Sequence, residues 1–146
     1  MRTSRRILIT VPIVVIGIGL WGLDRWWAAP DLTGVVMRAQ LPQAGIQLRL
    51  AVPPNQSTLC EFDDRSGVTD GRGAFALAGI RSTDWTFRTY RRHVSWTLCA
   101  GTGVESVSGT WRIIHAYSGS PLRRLRLRCD LNVTDGDVCV EEGQEF

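Results

Sequence analysis

The sequence contains no lysine, and all 17 of its basic residues are arginine. It holds 2 histidines, and none of its 4 cysteines has C-x-x-C spacing. With so few imidazoles and no closely spaced thiolates, a zinc site lacks ligands, and no metal or other cofactor is expected. The missing lysine reads most simply as the codon bias of a GC-rich genome, which points to a bacterium. Surplus positive charge is also missing beyond the N-terminus. Residues 31–146 carry 13 arginines and 13 acids, and the formal charge of +3 comes from Arg2, Arg5, Arg6 and Arg25 against Asp24. Sequence-independent nucleic-acid binding needs a basic surface to displace counterions, so no nucleic-acid partner is expected.

What is present begins with an apolar run. After Arg2, Arg5 and Arg6, residues Ile7 to Leu23 carry no charge. These 17 residues would make roughly 25 Å of helix, at the short end of spanning segments. Trp21, Trp26 and Trp27 follow at its far end, where amphipathic rings favour the headgroup level. A cleaved signal peptide would share the basic start and apolar core. Here the small pair Ala28-Ala29 is preceded by two tryptophans and followed by Pro30, a poor cleavage site, so an uncleaved anchor is favoured. Three arginines before the run and a cancelling Asp24–Arg25 pair after it keep the N-terminus in the cytoplasm. The expected layout is a cytoplasmic tail over 1–6, a transmembrane helix over 7–23, a linker over 24–31 and an exported domain over 32–146. In a bacterium this is a single-pass inner-membrane protein with its domain in the periplasm.

Cys60, Cys99, Cys129 and Cys139 all lie in the exported part. An even count in an oxidising compartment favours two disulfides. Three pairings are possible. Cys129 and Cys139 flank the turn-like NVTDGD, which favours that pair and leaves Cys60 with Cys99.

Beyond the anchor the apolar residues alternate with a period of two. In IQLRLAV, Ile46, Leu48, Leu50 and Val52 share a face. Phe75 and Leu77 do so in AFALA, and Trp85 with Phe87 in WTFRTY. Val94, Trp96 and Leu98 share a face in VSWTLCA. In TWRIIHAY, Trp111, Ile113, His115 and Tyr117 oppose Arg112, Ile114 and Ala116. In LRRLRLRCDL, Leu125, Leu127, Cys129 and Leu131 oppose Arg124, Arg126, Arg128 and Asp130. Turn-forming stretches separate the runs, and no long helical period appears. Seven to nine short strands predict an all-β, antiparallel sandwich.

The stretch DDRSGVTDGRGAF, Asp63 to Phe75, tests for a calcium loop. Counted from Asp64, the fifth position is Val68 and the twelfth is Phe75. Counted from Asp63, the third is Arg65. Neither supplies the oxygens such a loop needs, whereas Asp-Gly before an alternating strand is a turn signal.

Three segments, LTGVV, PQAGIQLRLAV and GVTDGRGAFALAGI, together resemble the carboxypeptidase regulatory-like domain of the transthyretin-like (prealbumin-like) superfamily. The matching positions are Gly34 and Val35, the turn Pro42 to Gly45, and the motif Thr69, Asp70, Gly73 and Phe75. The resemblance covers roughly residues 32–80. It implies a seven-stranded Greek-key sandwich in which that motif links two strands and buries its aromatic. It implies no enzymatic activity, because a fold does not carry a function. The family's Gly-x-Tyr strand is replaced here by STDWTFRTY, and residues 90–146 lie beyond the pattern. YSGS, Tyr117 to Ser120, lacks the arginine of the Tyr-Arg-Gly-Ser tail found in some transthyretin-like hydrolases and reads as a turn.

Catalytic candidates are sparse. His115 has Ser118 and Ser120 near it in sequence, but nothing places the orienting acid a triad needs. The arginine rows are more suggestive. Arg124, Arg126 and Arg128, with Arg88, Arg91 and Arg92, form a candidate partner-binding surface, since guanidinium forks suit carboxylates. The bland alternative is a solvated face protecting an edge strand. Trp85, Trp96 and Trp111 are expected in the core; exposed and coplanar, they would instead suit a glycan. NQS at Asn55 and NVT at Asn132 match a glycosylation acceptor pattern, which would be coincidental in a bacterial chain. The expected function is non-catalytic binding of an unidentified protein at the inner membrane, as by an envelope inhibitor or immunity protein. A glycan- or peptidoglycan-binding module is the alternative, and a hydrolase the third reading.

Overall fold

A computed structural model describes residues 21–52, 60, 65–87, 92–101, 111–134 and 137–146. Eleven strands and no helix occur among them: β1 (Trp21–Ala29), β2 (Asp31–Arg38), β3 (Leu41–Pro42), β4 (Gln47–Ala51), β5 (Arg65–Val68), β6 (Ala74–Leu77), β7 (Ile80–Phe87), β8 (Val94–Gly101), β9 (Trp111–Gly119), β10 (Arg124–Asp130) and β11 (Cys139–Glu145). The chain divides into two compact units, Met1–Trp26 with Ser82–Arg91, and Trp27–Arg81 with Arg92–Phe146.

β1 pairs with β7 in a two-stranded sheet. Most of the expected anchor, Ile7 to Leu20, lies outside the described residues, but Trp21 to Leu23 open β1. The expected linker is likewise strand, with Asp24 to Ala29 in β1 and Asp31 heading β2. Tryptophan and leucine suit a pleated sheet as readily as a helix end, so the local sequence marked no boundary there. Among the described residues, no helix is long and apolar enough to cross a membrane. In the smaller unit, Trp26 Nε1 donates to Asp84 Oδ2 at 3.2 Å. In the larger, the Arg81 guanidinium lies over the Trp27 ring at 4.2 Å, and Ala28, Ala29 and Pro30 are buried.

The larger unit holds two sheets. One has the order β11-β10-β2, with β6 and β3 sharing the far side of β2; the other has the order β5-β4-β8-β9. The ladders are antiparallel except β2–β10, which is parallel. That pair departs from the purely antiparallel expectation. β2 and β10 are not joined by a hairpin, so no local turn dictates their relative direction.

Alternation places the core as expected in most strands. Leu125, Leu127 and Cys129 of β10, Leu48 and Leu50 of β4, and Val94, Trp96 and Leu98 of β8 are all buried. Each buried leucine contributes roughly 1.5–3 kcal/mol of transfer free energy. The two inner faces meet: a Cβ on Gly67 of β5 would lie 2.6 Å from Leu77 Cδ2 of β6. This layering is consistent with a β-sandwich.

The Asp63–Phe75 stretch is a turn where it is described. Thr69 Oγ1 donates to Gln43 O at 2.6 Å and accepts from Ile46 N at 2.9 Å. Asp70 Oδ1 accepts from Arg72 N and Ala74 N, closing an Asx-type turn. Gly73 has φ of 71°, and a Cβ there would lie 2.5 Å from Val36 O, so only glycine fits. Phe75 then enters β6 buried. Both disulfides form as spacing favoured: Cys129 and Cys139 sit opposite in the β10–β11 register, and Cys60 joins Cys99 of β8.

Two edge strands break the alternation. In β9, Leu98 pairs with His115 but Cys99 pairs with Ile113, so Ile114 is an extra residue. In β11, Leu127 pairs with Glu141 but Arg126 pairs with Gly143, so Glu142 is extra. A bulge shifts the side-chain phase by one. Trp111 and Ile113 therefore face outward, whereas His115 and Tyr117 face inward. The single face predicted for Trp111, Ile113, His115 and Tyr117 does not exist.

Candidate functional site

Arg124, Arg126 and Arg128 point outward from β10, because Leu125, Leu127 and Cys129 occupy its inner side. β10 lies between β11 and β2, so the row does not guard a sheet edge; it forms part of the solvated outer face of an interior strand. The Arg124 and Arg126 side chains are 63% and 69% exposed. Neighbouring acids balance part of the row. Glu145 lies 3.4 Å from Arg124 and 3.8 Å from Arg123, and Glu142 lies 3.6 Å from Arg126. Exposed pairs of this kind contribute about 0–1 kcal/mol, so a partner's carboxylates can replace them. Arg128 makes no ion pair among the described residues. It is paired in register with Val35 on one side and Val140 on the other, and Val140 is 63% exposed. A concavity of ≈ 350 Å³ opens here, lined by Arg128, Met37, Gln40, Asp130, Val140 and Glu142 among others. The face is thus a mixed one, arginine beside exposed aliphatic surface, rather than a uniformly positive patch.

The remaining arginines of the expected surface do not join it. Arg92 precedes β8 in the other sheet and is half-buried, while Arg88 and Arg91 lie outside the described residues.

A second cluster lies between the edge strands β9 and β11. The β11 bulge turns Glu141 inward, opposite Leu127, and the β9 bulge turns His115 to meet it. His115 Nε2 is 3.3 Å from Glu141 Oε1, within ion-pair reach but off the line of a hydrogen bond. The imidazole packs on Trp96 at 5.4 Å between centroids, and Tyr117 stacks on the same indole at 5.5 Å. Burial pushes the His115 pKa below its usual value, against the opposing pull of Glu141 and Asp137. Burial, then the Glu141 charge, pushes Tyr117 up. Nearby, Arg112 donates to the carbonyls of Leu131 and Val133, tying β9 to the turn after β10.

The readings built on tryptophan and histidine find less. Trp96 is fully buried. Trp111 is half-buried on the outer face of its sheet, with the Arg49 guanidinium over its ring at 3.9 Å. These two rings offer no exposed coplanar platform, and the Trp85 side chain lies outside the described part of the structure. The histidine beside Ser118 is not the expected His115: His93 Nε2 and Ser118 Oγ are 2.8 Å apart, both exposed. The Val94–Gly119 register brings them together, which sequence alone could not reveal. No carboxylate among the described residues contacts His93, and none of those residues form a group of three or more able to hold a metal ion. The chain matches no protein-family model, and no curated protein or solved structure matches it.

Proposed function

We propose that this chain is a membrane-anchored, exported β-sandwich module that acts without catalysis by binding another protein through the outer face of β10 and its neighbours. The observation that carries this is the row Arg124, Arg126 and Arg128 on an interior strand, flanked by Val35, Met37 and exposed Val140. Arginine and methionine beside aliphatic surface are the composition of contact faces, and buried arginines frequently dominate their energetics. A small envelope inhibitor or immunity protein is the concrete form of this reading. The Thr69–Phe75 turn, with its buried aromatic, supports a transthyretin-like Greek-key arrangement. The location rests on the basic start, the uncharged run and the disulfides.

Photo-crosslinking in native membranes tests the contact face. A photoreactive residue at Val140 is expected to trap one discrete partner, and one at Ala116, exposed on the other sheet, none. Arg126→Glu with Arg128→Glu should cut the Val140 adduct at least about tenfold, the loss of a hot-spot pair, with near-ultraviolet circular dichroism unchanged. Equal labelling from both positions, or indifference to the charge reversal, overturns the reading of the face. Release of the chain from membranes by alkaline carbonate overturns the anchor.

A further inference from the structure

The second sheet carries an arginine in a different setting from those of β10. β4 sends Leu48 and Leu50 into the core, so Arg49 points out from the sheet. In register beside it stand Ser66 of β5 and Cys99 of β8, and two residues on in β8 Gly101 pairs with Trp111 of β9. Gly101 leaves β8 bare at this place: a Cβ there would already meet Gln47 Cβ and the Trp111 ring at 3.5 Å. The Arg49 guanidinium crosses β8 and lies 3.9 Å from the centre of the Trp111 ring. A cleft of ≈ 270 Å³ opens here, lined by Gln47, Leu48, Arg49, Ser66, Val68 and Trp111 among others. We propose that this cleft is a second binding site, for a small carboxylate carried on a flat or short apolar body, with the Arg49 fork holding the anion. The site does not depend on the β10 face.

The ligand class follows from what surrounds the guanidinium. Among the described walls of the cleft Arg49 is the one charged group. Arg124 and Arg126 have glutamates beside them, whereas Arg49 makes no ion pair among the described residues, although it is half-buried. A cation drawn out of water with no anion beside it is unfavourable, and the indole face offsets only part of that loss. Stacking uses the flat face of the guanidinium and leaves its rim of N–H donors for another partner. One planar fork matches the oxygens of a single carboxylate. A phosphate dianion would find no second positive charge, since the other polar side chains described in the cleft, Gln47 and Ser66, are neutral. The apolar walls, Leu48, Trp111 and the 59% exposed Val68, suit a body without charge.

Nuclear magnetic resonance titration of the full chain in lipid tests this with benzoate as the probe, beside benzamide and inorganic phosphate. Benzoate should shift the amide signals of Gly67, Val68 and Gly101 and the Trp111 indole N–H, and the shifts should saturate. Benzamide, the same shape without the charge, should bind at least about tenfold more weakly, the difference a charge-assisted bond makes. Phosphate should also bind more weakly than benzoate. Arg49→Gln should weaken benzoate at least about tenfold. Arg49→Lys keeps the charge but not the fork, and should weaken it at least about threefold. The β10 amide signals should stay in place in both variants, showing the fold intact; the wild-type comparison of probes decides alone if either variant fails to fold. Equal binding of benzoate and benzamide, tighter binding of phosphate, full affinity in Arg49→Lys, or a benzoate response centred on β10 each overturns the site. The Val140 crosslink is a separate result: its loss leaves the cleft standing, and a cleft that ignores benzoate leaves the β10 face standing.

Discussion

Gly34→Ala is expected to destabilise the fold by about 3 kcal/mol or more, at the upper end of the range for overpacking a close-fitted core. The cause is space alone. A Cβ at this position would lie 2.1 Å from the Leu127 carbonyl oxygen and 3.0 Å from Phe75 Cε1. The first obstacle is backbone, and β2 cannot retreat from it. Gly34 pairs with Leu127 of β10 on one side and with Phe75 of β6 on the other. Any shift opens one ladder or the other, and the Phe75 ring covers the place a side chain would occupy. Domains of this size are stable by roughly 5–15 kcal/mol, so such a loss removes a large share. Gly143→Ala is the control: nothing lies within 4 Å of its would-be Cβ, and the change should stay within about 0.5 kcal/mol. Urea midpoints of the two variants measure the difference, and equal midpoints would refute the steric account.

Loss of the Cys60–Cys99 disulfide is expected to cost about 4 kcal/mol by the chain-entropy model for a separation of 39 residues. The shorter Cys129–Cys139 link, spanning 10, should contribute about 3 kcal/mol. Cys60→Ala is the cleaner variant. Cys60 is half-exposed, whereas Cys99 is fully buried in β8, and its freed thiol can stay there as a small apolar group. Cys99→Ala should cost more, because it also leaves a cavity. Reduction of the wild type should lower stability at least as far as Cys60→Ala does. If reduced and oxidised protein melted together in denaturant, the bridges would contribute nothing, and the argument for an oxidising compartment would weaken with them.

Several features were legible in the residues. Period-two alternation marked the inner faces of β4, β8 and β10, because a strand sends successive side chains to opposite sides whatever it pairs with. The turn at Asp70 and Gly73 was legible for a similar reason: its side-chain bonds and left-handed backbone are local. The Cys129–Cys139 link followed from two strands flanking a short turn. The arginines of β10 were visibly on one face, and their orientation needed no partner strand to predict.

What the tertiary structure alone decided is which strands are neighbours and where a ladder slips. The outer position of Trp111, the inward turn of His115 and Glu141, and the nearness of Glu142 to Arg126 all depend on two bulges. Neither Ile113-Ile114-His115 nor Glu141-Glu142-Gly143 announces an extra residue, since a bulge is defined against the partner strand. The interior position of β10, the parallel β2–β10 ladder and the forbidden Cβ of Gly34 likewise arise from pairings between distant segments. A strand's own residues record which side is apolar; long-range hydrogen bonding and packing select what lies beside it.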